Sequence, residues 1–167
     1  MSEVIRDMKR ADADDVLAIY AYGLRTRNAT FETRVPDWEQ WDRNHHPFCR
    51  LVFALGHSVT GWAALSPLSH RECYRGVAEI SVYVAEGFWG RKIGSRLLER
   101  AVMESEKNGI WTLFASVFPE NEATLRLHLG QGFRKLGVRE RVATLDGKWR
   151  DTVILERRST VVGIDEE

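Results

Sequence analysis

The passage from residue 77 to residue 100 constrains this chain most. Val77-Ala78-Glu79-Ile80-Ser81-Val82-Tyr83-Val84 reads as an apolar strand with one carboxylate in its middle. It runs through the turn Gly87-Phe88-Trp89-Gly90-Arg91-Lys92-Ile93-Gly94 into a helix with apolar positions Leu97, Leu98, Ala101 and Val102. A strand that empties onto a helix N-terminus through such a turn makes an anion site, because free backbone N–H groups and the helix dipole point at one spot. The turn fits neither a P-loop, which ends Gly-Lys-Ser/Thr, nor a G-x-G-x-x-G dinucleotide fingerprint, so an ordinary capped turn is the competing reading.

Alternation along the strand puts Val77, Glu79, Ser81 and Tyr83 on one face and Ala78, Ile80, Val82 and Val84 on the other. A carboxylate among such neighbours is costly unless paired or exposed. The bland explanation for Glu79 is a salt bridge or the polar face of an edge strand. The alternative is a pocket wall, since its face mixes polar and aromatic groups, with proton transfer beside a phosphorylated cofactor.

Around this passage the elements fall in the order β-α-α-β-β-β-α-β-α-β-β. Val4–Met8 reads as a strand, and Asp12 reads as the N-cap of a helix burying Val16, Leu17, Ile19 and Tyr20. Residues 28–33 break the pattern. Pro36 marks the start of a second helix with Trp38 and Trp41 on one face. Gly56-His57-Ser58 and Asp146-Gly147 are hairpin turns, and Asn121 caps a short helix that Gly130 and Gly132 close. The pattern specifies an α/β fold (α+β, mixed sheet) in one domain over residues 1–158, with a polar, loose tail at 159–167.

Lys+Arg and Asp+Glu each total 24 in 167 residues, so the formal net charge is zero and neither nucleic acid nor a membrane is the expected partner. No apolar run is long enough to span a bilayer, and no leader is visible. Cys49 and Cys73 form no CxxC pair or disulfide framework, so a reducing cytoplasm is the expected compartment. The five histidines show no metal-ligand spacing and no metal is expected. His128 lies seven residues after Asn121 on the same helix face, where a structural role competes with a catalytic one.

Four patches, in this order and spacing, carry a family resemblance: Asn28-Ala29-Thr30-Phe31-Glu32-Thr33, Ala78-Glu79-Ile80-Ser81-Val82-Tyr83-Val84, Asn121-Glu122-Ala123-Thr124-Leu125-Arg126-Leu127-His128 and Gly147-Lys148-Trp149-Arg150-Asp151. The chain resembles the GNAT superfamily of N-acetyltransferases, and within it the phosphinothricin, methionine sulfone and arsenothricin acetyltransferase-like group. The resemblance implies a mostly antiparallel, twisted sheet of six to seven strands flanked by about four helices. It implies a homodimer that moves the acetyl group of acetyl-CoA to the α-amine of a small amino acid or analogue, an activity tied to antibiotic and herbicide resistance.

Carried over by position, the resemblance makes Glu79 the general base and gives His128 a part in proton donation or substrate contact. It places acetyl-CoA on Val82, Tyr83 and Val84, on Gly90, Arg91, Lys92, Ile93, Gly94 and Ser95, and on Asn121. It puts the acceptor against Phe31, Glu32, Thr33, Tyr74 and Arg75. The family's pyrophosphate motif, Q/R-x-x-G-x-G/A, falls on Trp89–Gly94, with Trp89 replacing the leading residue and Lys92 the middle glycine. If that middle position requires positive φ, Lys92 carries a strain of roughly 1 kcal/mol or more. Two other readings stay open on the same scaffold: a peptide or protein N-terminal acetyltransferase, and a non-catalytic CoA-binding module.

Overall fold

The computed structural model describes residues 1–165. Its elements are β1 (Glu3–Asp7), α1 (Ala13–Arg25), α2 (Trp38–Asn44), β2 (Leu51–Leu55), β3 (Ser58–Pro67), β4 (Val77–Val84), α3 (Ile93–Lys107), β5 (Thr112–Val117), α4 (Glu122–Leu129), β6 (Arg134–Leu145) and β7 (Lys148–Arg158). Short 3-10 turns at Arg10–Asp12 and Glu72–Tyr74 complete the described elements. The strands form one seven-stranded sheet in the order β1-β2-β3-β4-β5-β7-β6. Every neighbouring pair is antiparallel except β4 and β5. The element order matches the sequence reading.

Turn chemistry explains the hairpins. Asp146 and Gly147 both adopt positive φ, 52° and 76°, the backbone that a tight two-residue connection between twisted strands requires. Helix α2 begins two residues after Pro36, where the Asp37 carboxylate accepts a hydrogen bond from the Gln40 amide at 2.8 Å. Asp12 departs from its expected role. Its carboxylate turns back to accept from the Lys9 amide at 2.7 Å and from both terminal nitrogens of Arg6, at 2.8 and 2.9 Å. It therefore closes the 3-10 turn instead of capping α1, and the Arg6 bond holds it below the usual carboxylate range.

Each face of the sheet has its own core. On one face α3 buries Ile93, Leu97, Leu98 and Ala101 against Phe53, Ala63, Leu65, Ala78, Ile80, Leu113 and Ala115. Leu125 and Leu127 of α4 pack onto the same cluster. On the opposite face Val16 and Ile19 of α1 and Trp41 of α2 pack on Val52, Val59, Trp62 and Ala64, with Tyr83 against them. The aromatic stack Trp38–Trp41 and the parallel pair Trp62–Tyr83, at 4.8 and 4.9 Å between centroids, run through this second core. Residues 159–163 also fold back. The Ser159 amide donates to the Trp111 carbonyl at 2.8 Å, and the Arg158 guanidinium donates to the carbonyls of Val162 and Gly163. The final two residues of the expected tail, 166 and 167, lie outside the described residues.

Helix α3 approaches β3 so closely that a Cβ on Gly61 would lie 3.0 Å from both Ile93 Cγ2 and Leu97 Cδ1, and 3.1 Å from the Tyr83 carbonyl oxygen. Gly61→Ala is expected to destabilise the protein by about 1–3 kcal/mol through overpacking, read as a lower urea midpoint at unchanged m-value. An unchanged midpoint would show that α3 can lift off β3 without cost.

Candidate active site

The site is built by a fork in the sheet. Strands β4 and β5 pair only from Val77↔Thr112 to Glu79↔Phe114, although β4 continues to Val84 and β5 to Val117. Beyond Glu79, β4 stays with β3 as far as Val84↔Gly61, while β5 stays with β7 as far as Val117↔Val153. The β4 edge from Ile80 to Val84 therefore faces an opening instead of a neighbouring strand. Exposed strand edges of this kind receive an extended ligand through main-chain hydrogen bonds.

A cavity of about 1530 Å³ occupies the fork and reaches both faces of the sheet. Its lining includes Glu79, Val82, Tyr83, Val84, Gly90, Lys92, Ile93, Gly94, Ser95, Asn121, His128, Phe31 and Glu32. These predicted residues, from four separate segments, are brought together. Arg91, Thr33, Tyr74 and Arg75 do not line it. The Arg91 guanidinium lies over the Phe88 ring instead, and Thr33 is exposed. Tyr74 is 42% exposed, and Arg75 sits over the Trp111 ring, with its Nε 3.8 Å from Glu72. Arg75 is turned away because Gly76 packs flat on Trp111, and the Arg75 side chain follows that ring.

At one end of the cavity α3 presents its first turn. Lys92, the N-cap, has φ 63° and ψ 15°, so the middle position of the turn does require the left-handed conformation and Lys92 is strained there. Gly90 also has positive φ, 76°. The first helical hydrogen bond is Arg96 N to Lys92 O at 3.0 Å, which leaves the amides of Ile93, Gly94 and Ser95 without helical acceptors. This is a cradle for a phosphate group. Gln131, which the sequence reading missed, donates to the Ser95 hydroxyl at 3.4 Å and lines the same wall.

Asn121 does two jobs. Its Oδ1 accepts from the Thr124 amide at 3.2 Å as the α4 cap, and its Nδ2 donates to the Asn28 carbonyl at 3.0 Å. Both ends of the amide are engaged, so it holds the 28–33 loop over the cavity. Arg150 ties the same loop by donating to the Arg27 carbonyl at 2.9 Å while lying over Phe118, against which Phe31 packs edge-on at 4.9 Å.

Glu79 makes no side-chain hydrogen bond or ion pair among the described residues. Burial raises its carboxyl above the usual range, and Arg139 partly opposes the shift. His128 is 4% exposed. Its Nδ1 lies 2.8 Å from the Thr124 carbonyl, which can only accept, so Nδ1 carries the proton and donates. Its Nε2 is buried without a partner and is left as an acceptor. Burial depresses the His128 pKa below its ordinary value, so the ring is neutral at neutral pH. In this state the ring offers Nε2 as an acceptor to a bound molecule. Among the described residues no cluster of His, Cys, Asp and Glu suits a metal ion.

Because the folded-state pKa of His128 is depressed, its contribution to stability is present above the unfolded value of about 6.5 and is lost as pH falls through the window below it. In a ¹⁵N-resolved titration His128 is expected to remain the neutral Nδ1–H tautomer at pH 7 and to protonate only below 6.5. A cationic ring at pH 7 would contradict the assignment.

Comparison with known proteins agrees with this geometry. Residues 17–133, more than half of the chain, match the model of the acetyltransferase (GNAT) family. A phosphinothricin N-acetyltransferase of Alcaligenes faecalis is 32% identical over 164 residues, covering 92% of this chain and 81% of that protein. The structure of a ribosomal-protein-alanine N-acetyltransferase from Brucella melitensis superposes with a TM-score of 0.87 at 31% identity, covering 93% of this chain and 99% of that one. A Salmonella typhimurium structure determined with its cofactor acetyl-CoA superposes with a TM-score of 0.88 at 25% identity, covering 100% and 96% of the two chains. Acetyl-CoA is the co-substrate. The chain belongs to the acetyltransferase (GNAT) family, as an acetyl-CoA-dependent N-acetyltransferase.

Proposed function

We propose that this protein acetylates the α-amine of a small amino acid or amino-acid analogue of the phosphinothricin, methionine sulfone or sulfoximine type, with Glu79 as general base. The observation that carries this reading is the position of Glu79 at the branch point of the fork. Its side chain shares a face with Tyr83, on the α1/α2 side, while α3 and α4 cover the other face. Acetyl-CoA then occupies the α3/α4 side, with its phosphates on the first turn of α3 and its pantetheine arm along the β4 edge. The acceptor enters from the α1/α2 side, between Glu79 and the 28–33 loop.

An α-ammonium group has a pKa near 8 and is mostly protonated at neutral pH, so it must lose a proton before it can attack the thioester. The raised pKa of the buried Glu79 matches it to that task, directly or through a water. The main-chain N–H groups of Val82–Val84 that face the fork polarise the thioester carbonyl. The 28–33 loop, held by Asn121 and Arg150, borders the acceptor side.

The test follows thiol release from acetyl-CoA with phosphinothricin, methionine sulfone and methionine sulfoximine as acceptors. Glu79→Gln is expected to lower kcat/KM by about 10²–10⁴-fold with acetyl-CoA affinity little changed. In the wild type kcat/KM should fall as pH drops through the raised Glu79 pKa. The stability sign is opposite: a carboxyl whose folded pKa is raised favours the folded state below its unfolded pKa, and this contribution is lost as pH rises through the folded value. Glu79→Gln should therefore be no less stable than wild type at neutral pH. Full activity in that variant would remove Glu79 from the chemistry.

The similarity to the Brucella melitensis protein favours a second reading, acetylation of a peptide N-terminus. Faster acetylation of peptides beginning with alanine than of free amino acids would select it.

We also infer a homodimer. β6 is an outer strand of the sheet, and on this hairpin Leu136, Val138, Val142 and Trp149 are 46%, 44%, 43% and 62% exposed. Light scattering should give twice the mass of 19.2 kDa, and Val138→Glu should shift it toward the monomer. A monomer at micromolar concentration would count against this assembly.

A further inference from the structure

The acceptor side of the fork holds a second charged group. Residues paired directly across neighbouring strands share a face, and a face recurs every second residue. The pairs Glu79↔Phe114, Ser116↔Ile154 and Thr152↔Arg139 thus set Glu79, Phe114, Ser116, Ile154, Thr152 and Arg139 on one face. Arg139 and Thr152 line the cavity together with Glu79.

Arg139 makes no ion pair among the described residues. Local geometry explains why. The register between β6 and β7 shifts between Arg139 and Ala143, and within the bulge Arg141 adopts φ 43°. Its amide donates to Asp151 Oδ1 at 2.7 Å, so that carboxylate of the hairpin is engaged by backbone. Thr152, next to Asp151, is 4% exposed, and its Oγ1 is buried without a hydrogen-bond partner. A buried hydroxyl in that state calls for a partner that arrives from outside the chain. Of the other cations on the cavity wall, Lys92 sits at the α3 cradle and Arg126 faces Glu122 at 3.9 Å.

We propose that Arg139 and the Thr152 hydroxyl bind the carboxylate of the amino-acid acceptor while Glu79 receives its ammonium group. The proposal rests on the N-acetyltransferase reading and assigns its substrate-selecting cation. A guanidinium offers a planar pair of donors that matches a carboxylate, and the hydroxyl supplies a third donor from the adjoining strand. Acceptors lacking the carboxylate would leave both groups unpaired, which is how a site rejects a near-isostere. The other role open to Arg139 is to temper the charge of Glu79. That role would act equally on every amine, whatever its remaining groups.

The experiment compares initial rates for the best acceptor of the phosphinothricin or methionine sulfone series, its carboxyl methyl ester and its carboxamide. The enzymes are the wild type, Arg139→Leu, Arg139→Lys and Thr152→Val. The wild type should prefer the free acid. Arg139→Leu should lose about 10–100-fold in kcat/KM on the acid, mainly through KM, and less than about 3-fold on ester and amide, so that the preference collapses. Arg139→Lys should keep part of the preference, and Thr152→Val should lose several-fold of it.

Each acid-to-ester ratio comes from one preparation, so a misfolded fraction cancels, as does any change in the basicity of Glu79. Equal losses on all three acceptors, or an unchanged ratio in Arg139→Leu and Thr152→Val, would overturn the proposal while leaving the transferase reading intact. A wild type that acetylates none of these amines would overturn both.

Discussion

The short parallel ladder between β4 and β5 is the constraint on which the site depends. It ends at Glu79↔Phe114, and every functional feature is arranged around that end. Continued pairing would bury the β4 edge under β5 and leave no slot for an extended ligand. The divergence is held open from both sides, by β3 on one strand and β7 on the other, each through an antiparallel ladder that runs on past the fork. Helix α3 is locked onto β3 at Gly61, so the cradle at its N-terminus has a defined position relative to the open edge.

The fork also separates two environments. On the α3/α4 side lie the amide cradle, His128 with its bare Nε2, and the Asn121 cap. On the α1/α2 side lie Glu79, Tyr83 and the 28–33 loop. Tyr83 is packed between Tyr20 and Trp62, and burial drives its hydroxyl far above the ordinary phenol range, so it stays neutral. Glu79 is the carboxylate that lines the branch point, and burial raises its pKa above the usual range. The electrostatics of the site follow from burial first, since desolvation leads the shifts of Glu79, Tyr83 and His128 alike.

Much of the fold was legible because periodicity and turn chemistry are local. The element order, the Asp146-Gly147 hairpin and the alternation through Glu79 each depend on residues within a few positions of one another. Strain at Lys92 was also legible as a condition, once the turn was placed against the family motif, and the backbone meets that condition. The site was less legible wherever a side chain had a choice of neighbours. Arg75 was expected beside Glu79 because it precedes it closely in sequence, but the ring of Trp111 captures it. Asp12 was expected to cap α1, but Arg6 reaches it from the adjoining strand. Arg139 sits in the alternating-charge run Arg139-Glu140-Arg141. The only hint in it is that three charges in succession fit no strand period.

The amino-acid sequence by itself determined which segments become strands and helices, where they turn, and that a lone carboxylate occupies an apolar strand feeding a helix N-terminus. These follow from backbone propensities and hydrophobic period, which act over a turn or two of chain. Only the tertiary structure decided that β4 and β5 part at that carboxylate. It also decided that Arg139 and Thr152, more than fifty residues downstream, stand on its face, and that Arg75 does not. Those outcomes depend on strand register and on competition for aromatic and charged partners across the sheet, which no local pattern encodes.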